Sequence, residues 1–443
     1  MLMEKDDKQY QDLLDILHEE LIPAMGCTEP IAVAYASAKA REVLGKIPDH
    51  IIVQVSNSII KNVKSVIVPN TGNLKGVAAS AAAGVVAGDA SKKLEVIANV
   101  DSFQRDEIEK YLKTTPIDVE YLERGHIFDM IITVFAGNES AEVQITDYHT
   151  NITEIAKNGK IIFKSDGNEG SETPRVDRSF MNMKTIWDFA LSVDMNDIQD
   201  TIGKQVEYNS AISEEGLKDN FGVNIGKLIL SEYGKLNENV AAASSAAGSD
   251  ARMSGCEMPV IINSGSGNQG LASSMPVVAY AKKCKCSEEK MYRALVLSNL
   301  TTIYQKNGIG TLSAYCGVVS AGVGAAAGIS YLKVGTFDAC DHTISNSLGI
   351  SSGIICDGAK PSCAAKSALA VETGLLGLNM YCSDNNLKAG DGIVGSTADE
   401  TIHNVWNLAS KGMARTNEEI IDIMLGKESN SSVNAKSESQ EGK

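Results

Sequence analysis

Two cysteines, Cys356 and Cys363, flank the turn-like sequence DGAKP, and the second leads into an alanine-rich run that predicts a helix. A pair in this arrangement could form a disulfide, bind a metal or be a coincidence. The chain has nine cysteines, an odd number, and its amino-terminal sequence has mixed charges and helical apolar spacing, unlike a signal peptide. The cytoplasm is therefore the expected compartment, and a disulfide framework is disfavoured.

Metal binding by this pair would need further ligands. The spacing is too wide for the tight pairs of zinc knuckles, and it lacks the dense cysteine run of bacterial ferredoxins. Iron–sulfur clusters can also take cysteines from distant segments, and three thiolates leave one iron open to a substrate. Cys316 in YCGVVSAGVGAAAG is a candidate. On its own, however, it is more typical of a small core residue.

Cys27 lies in MGCTEP, between two predicted helices. An exposed position at a helix N-terminus would lower the pKa of its thiol. The alternative is an ordinary capping turn, with Thr28 as N-cap and Pro30 in the first turn. The other cysteines are interpreted as incidental, although SGCEMP around Cys256 repeats the pattern of MGCTEP.

The sequence NSGSGNQG predicts a loop that binds a small anion. Its glycines let backbone N–H groups converge, and its polar side chains add hydrogen-bond donors. Neither a dinucleotide fingerprint nor the lysine–serine end of a phosphate loop is present, so the carboxylate of a small substrate is the better ligand. The alternative is a flexible loop. The predicted binding residues are Ser264, Ser266, Gly267, Asn268 and Gln269.

A second polar cluster contains Asn57, Lys61, Asn62 and Lys64. These side chains could contribute to a site, or they could be the solvated faces of a strand. The six histidines are scattered, and none pairs with another at metal-ligand spacing. No nucleophile elbow, zincin helix or EF-hand loop is present in the sequence.

The elements that must position these residues predict an α+β fold: a large, mainly helical catalytic domain with an inserted α/β sheet domain. Residues 1–46 and 171–426 are assigned to the helical domain, residues 47–170 to the inserted domain and residues 427–443 to a disordered tail. Strands are predicted in HIIVQVSNSIIKNV, KLEVIANV and IDVEYLE, followed by hairpins that turn at AGNES and KNGK.

Composition and charge restrict the function classes. The chain has 443 residues, of which 43% are hydrophobic, so two domains or one large domain with an insertion are expected. Its formal net charge of -16 disfavours nucleic acid and anionic membrane surfaces as partners. The apolar run from Leu312 to Leu332 is dominated by alanine, glycine and serine, which favours a buried helix over a membrane span. These properties are also compatible with a homodimer.

Four motifs in order, GCTEPIAVAYA, NSGSGNQG, YCGVVSAGVGAAAG and CDGAKPSCAAK, resemble the cysteine desulfidase family of the CyuA type. That family is related to the α chain of iron–sulfur L-serine dehydratase. The resemblance runs from about residue 10 to about residue 425. It implies a 4Fe-4S enzyme without pyridoxal phosphate that converts the amino acid L-cysteine and water to pyruvate, ammonia and hydrogen sulfide.

The resemblance also implies roles for particular residues. Carried over from the family, the cluster ligands are Cys316, Cys356 and Cys363. Cys27 and Glu29 of GCTEP are the candidate catalytic residues, and Cys27 could be either a further ligand or an acid or base. Because the separate regulatory-type domain and the SSSHT motif of serine dehydratases are missing, serine is disfavoured as the main substrate. The alternatives are an L-serine ammonia-lyase with the same cluster and a non-catalytic amino-acid-binding protein.

Overall fold

The computed structural model describes residues 3–165, 175–310 and 312–425. These residues form a large helical part and a six-stranded mixed sheet, which confirms the α+β prediction. The predicted boundary at residues 170 and 171 and the predicted tail, residues 427–443, lie outside the described residues. The division into two domains stays a prediction.

The strands form two sheets. The large sheet has the order β3-β2-β4-β5-β6-β7, in which β2 and β3 are parallel and all other neighbours are antiparallel. The small sheet pairs β1 with β8. Both hairpins predicted from AGNES and KNGK are confirmed, as the turns β4–β5 and β6–β7. The strands are β1 (Pro23–Met25), β2 (His50–Val55), β3 (Ile117–Tyr121), β4 (Asp129–Ala136), β5 (Glu139–Thr146), β6 (Ile152–Lys157), β7 (Lys160–Lys164) and β8 (Pro259–Ile261).

Sixteen α-helices occur among the described residues. They are α1 (Lys8–Glu20), α2 (Thr28–Leu44), α3 (Asn57–Val63), α4 (Val77–Ala87), α5 (Ser102–Thr114), α6 (Met183–Ser192), α7 (Met195–Lys218), α8 (Ile225–Glu232), α9 (Asn237–Met253), α10 (Gly267–Cys284), α11 (Glu288–Ile309), α12 (Gly317–Lys333), α13 (Phe337–Ser351), α14 (Ser362–Cys382), α15 (Ala398–Asn407) and α16 (Ala414–Leu425).

One of the predicted strand segments is confirmed only in its first part, and a second is wrong. In HIIVQVSNSIIKNV only the first part is a strand, and the rest is α3, because the buried Ile59 and Val63 are four residues apart, which is helical spacing. KLEVIANV overlaps a 3-10 helix, Ala90–Glu95. The carboxylate of Asp89 accepts the Ser91 N–H and starts this turn, which a pattern of apolar residues alone cannot indicate.

The centre of the helical part is built from small residues. Helix α12 packs against α10, α11, α13 and α14, and nearly all of its side chains are buried. Alanine, glycine and serine allow these helix backbones to approach closely. The predicted buried helix within residues 312–332 is therefore confirmed, although it begins only at Gly317. No helix among residues 3–165, 175–310 and 312–425 has the length and apolar character that a membrane crossing requires.

The two amino-terminal helices pack on different parts of the molecule. Helix α1 contacts α6, α7 and α11, whereas α2 covers β4 and β5 and packs against α4. Between them, β1 pairs antiparallel with β8, and Met25 lies opposite Pro259. This pairing brings the turn before α2 close to the loop before α10, so it aligns two of the predicted site segments.

Candidate active site

Cys316 and Cys356 lie side by side although they come from different segments. The Cys316 N–H donates to the Ile354 carbonyl at 3.0 Å, and the Cys356 N–H donates to the Ala314 carbonyl at 2.7 Å. Tyr315 and Ile355 form an antiparallel bridge between these two hydrogen bonds. The two thiols are hydrogen-bonded to each other as a result of this pairing.

Cys363 and Cys27 form a second pair of neighbours. The Cys363 thiol lies 3.6 Å from the Gly358 carbonyl oxygen and 3.5 Å from the Lys360 backbone nitrogen. Cys27 belongs to the same small apolar cluster as Cys363, and its sulfur lies 4.0 Å from that of Met253. Cys363 interacts electrostatically with Cys27, Cys316 and Cys356. The four predicted thiols therefore share one region.

The N-termini of four helices converge at this region. Cys27 is the N-cap of α2, Ser266 that of α10 and Cys316 that of α12, and Cys363 is the second residue of α14. Unpaired N–H groups and the helix dipole make such ends favourable for negative charge. Gly26, with a φ of +56°, makes the turn that lets β1 lead directly into α2. The arrangement favours thiolates and anionic ligands.

The cysteines differ in acidity. Complete burial raises the pKa of the Cys27 thiol to about 12, so the prediction of an exposed, acidified thiol is wrong. The hydrogen bond between Cys316 and Cys356 lowers the pKa of Cys356 and raises that of Cys316. The ammonium of Lys61 also favours the Cys356 thiolate. Cys356 is thus the more acidic of the two paired thiols.

Glu29 is a buried carboxylate at the edge of the cysteine region. Burial opposes its ionisation, but interactions with His149 and Asn62 outweigh this effect and lower its pKa to about 2. The Asn62 amide donates to Glu29 Oε1 at 2.9 Å, and the Thr28 hydroxyl lies 3.3 Å from Oε2. The imidazole Nε2 of His149 lies 4.0 Å from Oε1, which is ion-pair range rather than hydrogen-bond distance.

The predicted anion loop is a tight turn before α10. Ser264 and Gly265 both have positive φ, of 49° and 77°, and the Ser264 hydroxyl donates to the side chain of Asn263 rather than standing free. The Thr28 hydroxyl donates to the Gly265 carbonyl at 2.8 Å and ties this turn to α2. The first intrahelical bond of α10 runs from the Gly270 N–H to the Ser266 carbonyl. Among the described residues no acceptor takes up the N–H groups of positions 267–269.

Several buried polar atoms of this region have no hydrogen-bond partner among the described residues. A buried polar group without a partner costs about 1–3 kcal/mol, so native proteins rarely leave several together. Their concentration here indicates a space that a polar ligand or water completes. The atoms are Asn62 Oδ1, His149 Nε2, Arg252 Nε, Asn268 Oδ1 and Gln269 Oε1.

Comparison with known proteins assigns the chain to a family. The family model for the serine dehydratase alpha chain matches residues 91–422. The chain belongs to the serine dehydratase alpha chain family. Membership of this family indicates a lyase of the serine dehydratase type and suggests an iron–sulfur cluster.

Relatives of similar length match almost the entire chain. A UPF0597 protein of Desulfitobacterium hafniense is 51% identical over 96% of this chain and 99% of its own length. UPF0597 proteins of Lachnoclostridium phytofermentans and Treponema denticola are 47% and 44% identical, covering 94% and 96% of this chain and 100% of each relative. The resemblance to the serine dehydratase alpha chain is thus confirmed, and these names specify no substrate.

The clustered thiols are suitable in type for an iron–sulfur cluster of the kind that the serine dehydratase alpha chain family suggests. Within the described ranges, no three Cys, His, Asp or Glu side chains converge in the way that a single metal ion requires. A four-iron cluster is wider than one ion, so its thiolates need not converge on one point. Three thiols, Cys316, Cys356 and Cys363, are the soft donors that iron–sulfur clusters take. The three cysteines therefore fit an iron–sulfur cluster in the type of their donor atoms and in lying in one region of the protein.

Four residues of the site are missed or left open by the sequence prediction. For Asn62 and Lys61 the sequence allows either a contribution to a site or a solvated strand face, and the structure places both buried on α3. The Lys61 ammonium donates to the Cys356 carbonyl at 3.3 Å and to the Asn417 side chain at 2.7 Å. His149 and Arg252 were not selected at all, since neither lies in a motif with metal-ligand spacing. Cys256, in SGCEMP, is not among the clustered thiols, and its segment leads into the strand that pairs with β1.

Proposed function

We propose that the protein is an iron–sulfur-dependent lyase that eliminates sulfide from L-cysteine to give pyruvate, ammonia and hydrogen sulfide. One observation carries the proposal: thiols from three distant segments lie together at converging helix N-termini, beside unpaired buried polar atoms. Membership of the serine dehydratase alpha chain family supports the lyase class.

In this proposal the three thiolates of Cys316, Cys356 and Cys363 would hold a 4Fe-4S cluster. When bound, such a cluster with one open iron supplies a Lewis acid for the departing sulfur, and a soft thiolate is a better ligand for it than a serine hydroxyl. The helix N-termini favour the negative charge of this group. Lys61, which already favours the Cys356 thiolate, would add to that effect.

The reaction breaks the Cα–H and Cβ–S bonds of the substrate and forms a Cα=Cβ double bond, without net oxidation or reduction. The resulting aminoacrylate tautomerises and is hydrolysed by water to pyruvate and ammonia. We assign proton transfer at Cα to the first turn of α2, where Cys27 and Glu29 lie. Burial keeps the Cys27 thiol protonated at neutral pH. Cys27 can therefore act as a base only if nearby positive charge stabilises its thiolate.

The alternative function is an L-serine ammonia-lyase that uses the same site. The description of the matched family model, a serine dehydratase alpha chain, favours this alternative. The difference in leaving group decides between them, since a soft sulfur ligand binds an open iron more strongly than a hydroxyl does. A non-catalytic amino-acid-binding protein is the third candidate.

The test is reconstitution of the protein with ferrous iron and sulfide without oxygen. We expect about four irons and four acid-labile sulfides per chain, sulfide release from L-cysteine without added pyridoxal phosphate, and slower pyruvate formation from L-serine. Faster turnover of L-serine would support the alternative. A reconstituted protein that holds iron and binds amino acids but turns over neither would support the binding protein. A colourless protein without iron would refute the cluster.

Cysteine variants separate the site from the rest of the chain. Cys316→Ser should lose iron and activity. Cys340→Ser is the matched control, because Cys340 is also buried at the protein's core but interacts with none of the other cysteines. Equal iron content in both variants would remove Cys316 from the ligand set. The homodimer stays a prediction.

A further inference from the structure

The side chain of Arg252 is a buried cation with no counterion among residues 3–165, 175–310 and 312–425. Arg252 lies in the last turn of α9 and is 4% exposed, and its buried Nε atom has no hydrogen-bond partner among the described residues. A helix C-terminus compensates part of such a charge. Taking an unpaired guanidinium out of water is nevertheless costly, so buried arginines almost always have partners.

The environment of Arg252 points to an anionic ligand. Its guanidinium packs directly on the first residue of α10, so that a Cβ added at Gly267 would lie 2.3 Å from Nε. The next N–H groups of α10 have no acceptor among the described residues. Arg252 also interacts electrostatically with Cys27 and Cys363, so it faces the cysteine region. Two independent sets of donors, a guanidinium and a helix N-terminus, therefore meet at one point.

We propose that Arg252 binds the α-carboxylate of the substrate, together with the free N–H groups at the start of α10, and so selects α-amino acids. The inference rests on the proposed function and deepens it, since it names the group that holds the substrate beside the reacting centre. The planar guanidinium matches a carboxylate in a bidentate geometry, which fixes the orientation of the ligand as well as its affinity. The glycine–serine loop then contributes backbone donors, and the arginine contributes the charge.

Two thiol inhibitors separate the carboxylate from the rest of the substrate. 3-Mercaptopropionate has the thiol and the carboxylate but no amine, and cysteamine has the thiol and the amine but no carboxylate. In anaerobically reconstituted full-length protein, Arg252→Met should weaken 3-mercaptopropionate on the order of 10- to 100-fold, as expected for a lost charged hydrogen-bonding pair, and leave cysteamine unchanged. The KM for L-cysteine should rise by a similar factor. Arg252→Lys should recover part of the affinity.

Stability gives a second readout. Because the structure shows no described residue paired with the Arg252 guanidinium, Arg252→Met should leave the Tm of the ligand-free protein unchanged or raise it. Arg178→Met is the matched control: the Arg178 side chain is 12% exposed and pairs with Glu20 at 2.7 Å and Glu19 at 3.0 Å, so its loss should lower the Tm and leave inhibitor affinity unchanged. The two arginines should thus show opposite patterns.

Several outcomes would overturn the inference. If Arg252→Met weakens both inhibitors equally, or loses iron while keeping its affinity for 3-mercaptopropionate, the arginine serves the fold or the cluster instead. Inhibitor binding is measured by calorimetry, which does not depend on turnover. A wild-type protein that binds 3-mercaptopropionate through Arg252 but releases no sulfide from L-cysteine would refute the proposed function and leave the inference standing. A wild type that binds neither thiol would refute the inference.

Discussion

The contact between Gly317 and Gln269 gives a sharp test of the proposed site. Gly317 is the first residue of α12, directly after Cys316, and the amide of Gln269 packs against its Cα. A Cβ at this position would lie 2.6, 2.7 and 2.8 Å from the Cδ, Nε2 and Oε1 atoms of Gln269. Since ordinary contact begins near 3.4 Å, Gly317→Ala must displace the Gln269 amide by about 0.8 Å.

The expected result is a loss of catalysis larger than the loss of stability. A displacement near 1 Å in a group that positions the substrate can reduce the rate about 100-fold, so kcat/KM for L-cysteine should fall about 10- to 100-fold. Overpacking typically lowers the stability of the folded protein by about 1–3 kcal/mol. A loss at the low end of this range is expected here, because the displaced atoms lie at the end of the flexible Gln269 side chain. The assays are sulfide release, iron content and Tm of the reconstituted protein.

Gly203→Ala is the matched control for this substitution. Gly203 lies in the interior of α7, and an added Cβ would meet only the Tyr292 hydroxyl, at 3.3 Å. Alanine in a helix interior is more stable than glycine by about 0.5–1 kcal/mol, so this variant should have a higher Tm and unchanged kcat/KM. If Gly317→Ala keeps kcat/KM within twofold of the wild type, the Gln269 amide does not position the substrate. If it loses iron, the substitution acts through Cys316.

Three further predictions concern the groups around the thiols. The folded-state pKa of Glu29 is lowered from 4.5 to about 2, so the ionised carboxylate stabilises the protein above pH 4.5, and this stabilisation is lost as the pH falls toward 2. The difference in unfolding free energy between wild type and Glu29→Gln, measured by chemical denaturation, should therefore shrink by about 3 kcal/mol over that range. A difference that stays constant with pH would contradict this. Asn62→Leu should raise the pKa of Glu29, because it removes the 2.9 Å hydrogen bond that favours the carboxylate. Its cost in stability should be smaller in a Glu29→Gln background, which a double-mutant cycle measures, and equal costs in both backgrounds would show that the bond contributes nothing. Lys61→Met should raise the pKa of Cys356 and slow the alkylation of its thiol at pH 7 in cluster-free protein, as followed by mass spectrometry. Lys64→Met is the control, because it removes an exposed ammonium that donates to a helix carbonyl, and it should leave the alkylation rate unchanged. Equal alkylation rates in the two variants would refute the effect of Lys61.

Sequence patterns predicted the parts of the fold that local chemistry determines. The two hairpins follow from their turn residues, and the buried α12 follows from its small side chains. Where a β-branched run also has helical spacing, as in α3, the pattern alone was ambiguous, and tertiary packing determined the outcome. The packing of α2 on the sheet rather than on the helical part could not be foreseen, since nearly all of its sides are apolar.

The candidate site was predictable only in part, for a different reason. The cysteines were found because each lies in an unusual local sequence, and the structure brings all four into one region. His149 and Arg252 carry no such local signal, and Asn62 is only one member of a polar cluster with two possible interpretations. Each becomes notable only through what it lacks in the folded protein, a partner for a buried polar atom, and that property depends on segments far away in the chain.

The pairing of β1 with β8 has a consequence for how the molecule is made. It joins Met25 to Pro259, and the neighbourhood of Cys27 also needs Cys363, which lies 336 residues further along the chain. Contacts of such high sequence separation form slowly, because a long loop must close before they stabilise anything. During synthesis, Cys27 therefore lacks Cys363 as a neighbour until α14 has left the ribosome. A metal centre that uses these thiols could therefore be loaded only after α14 has been synthesised.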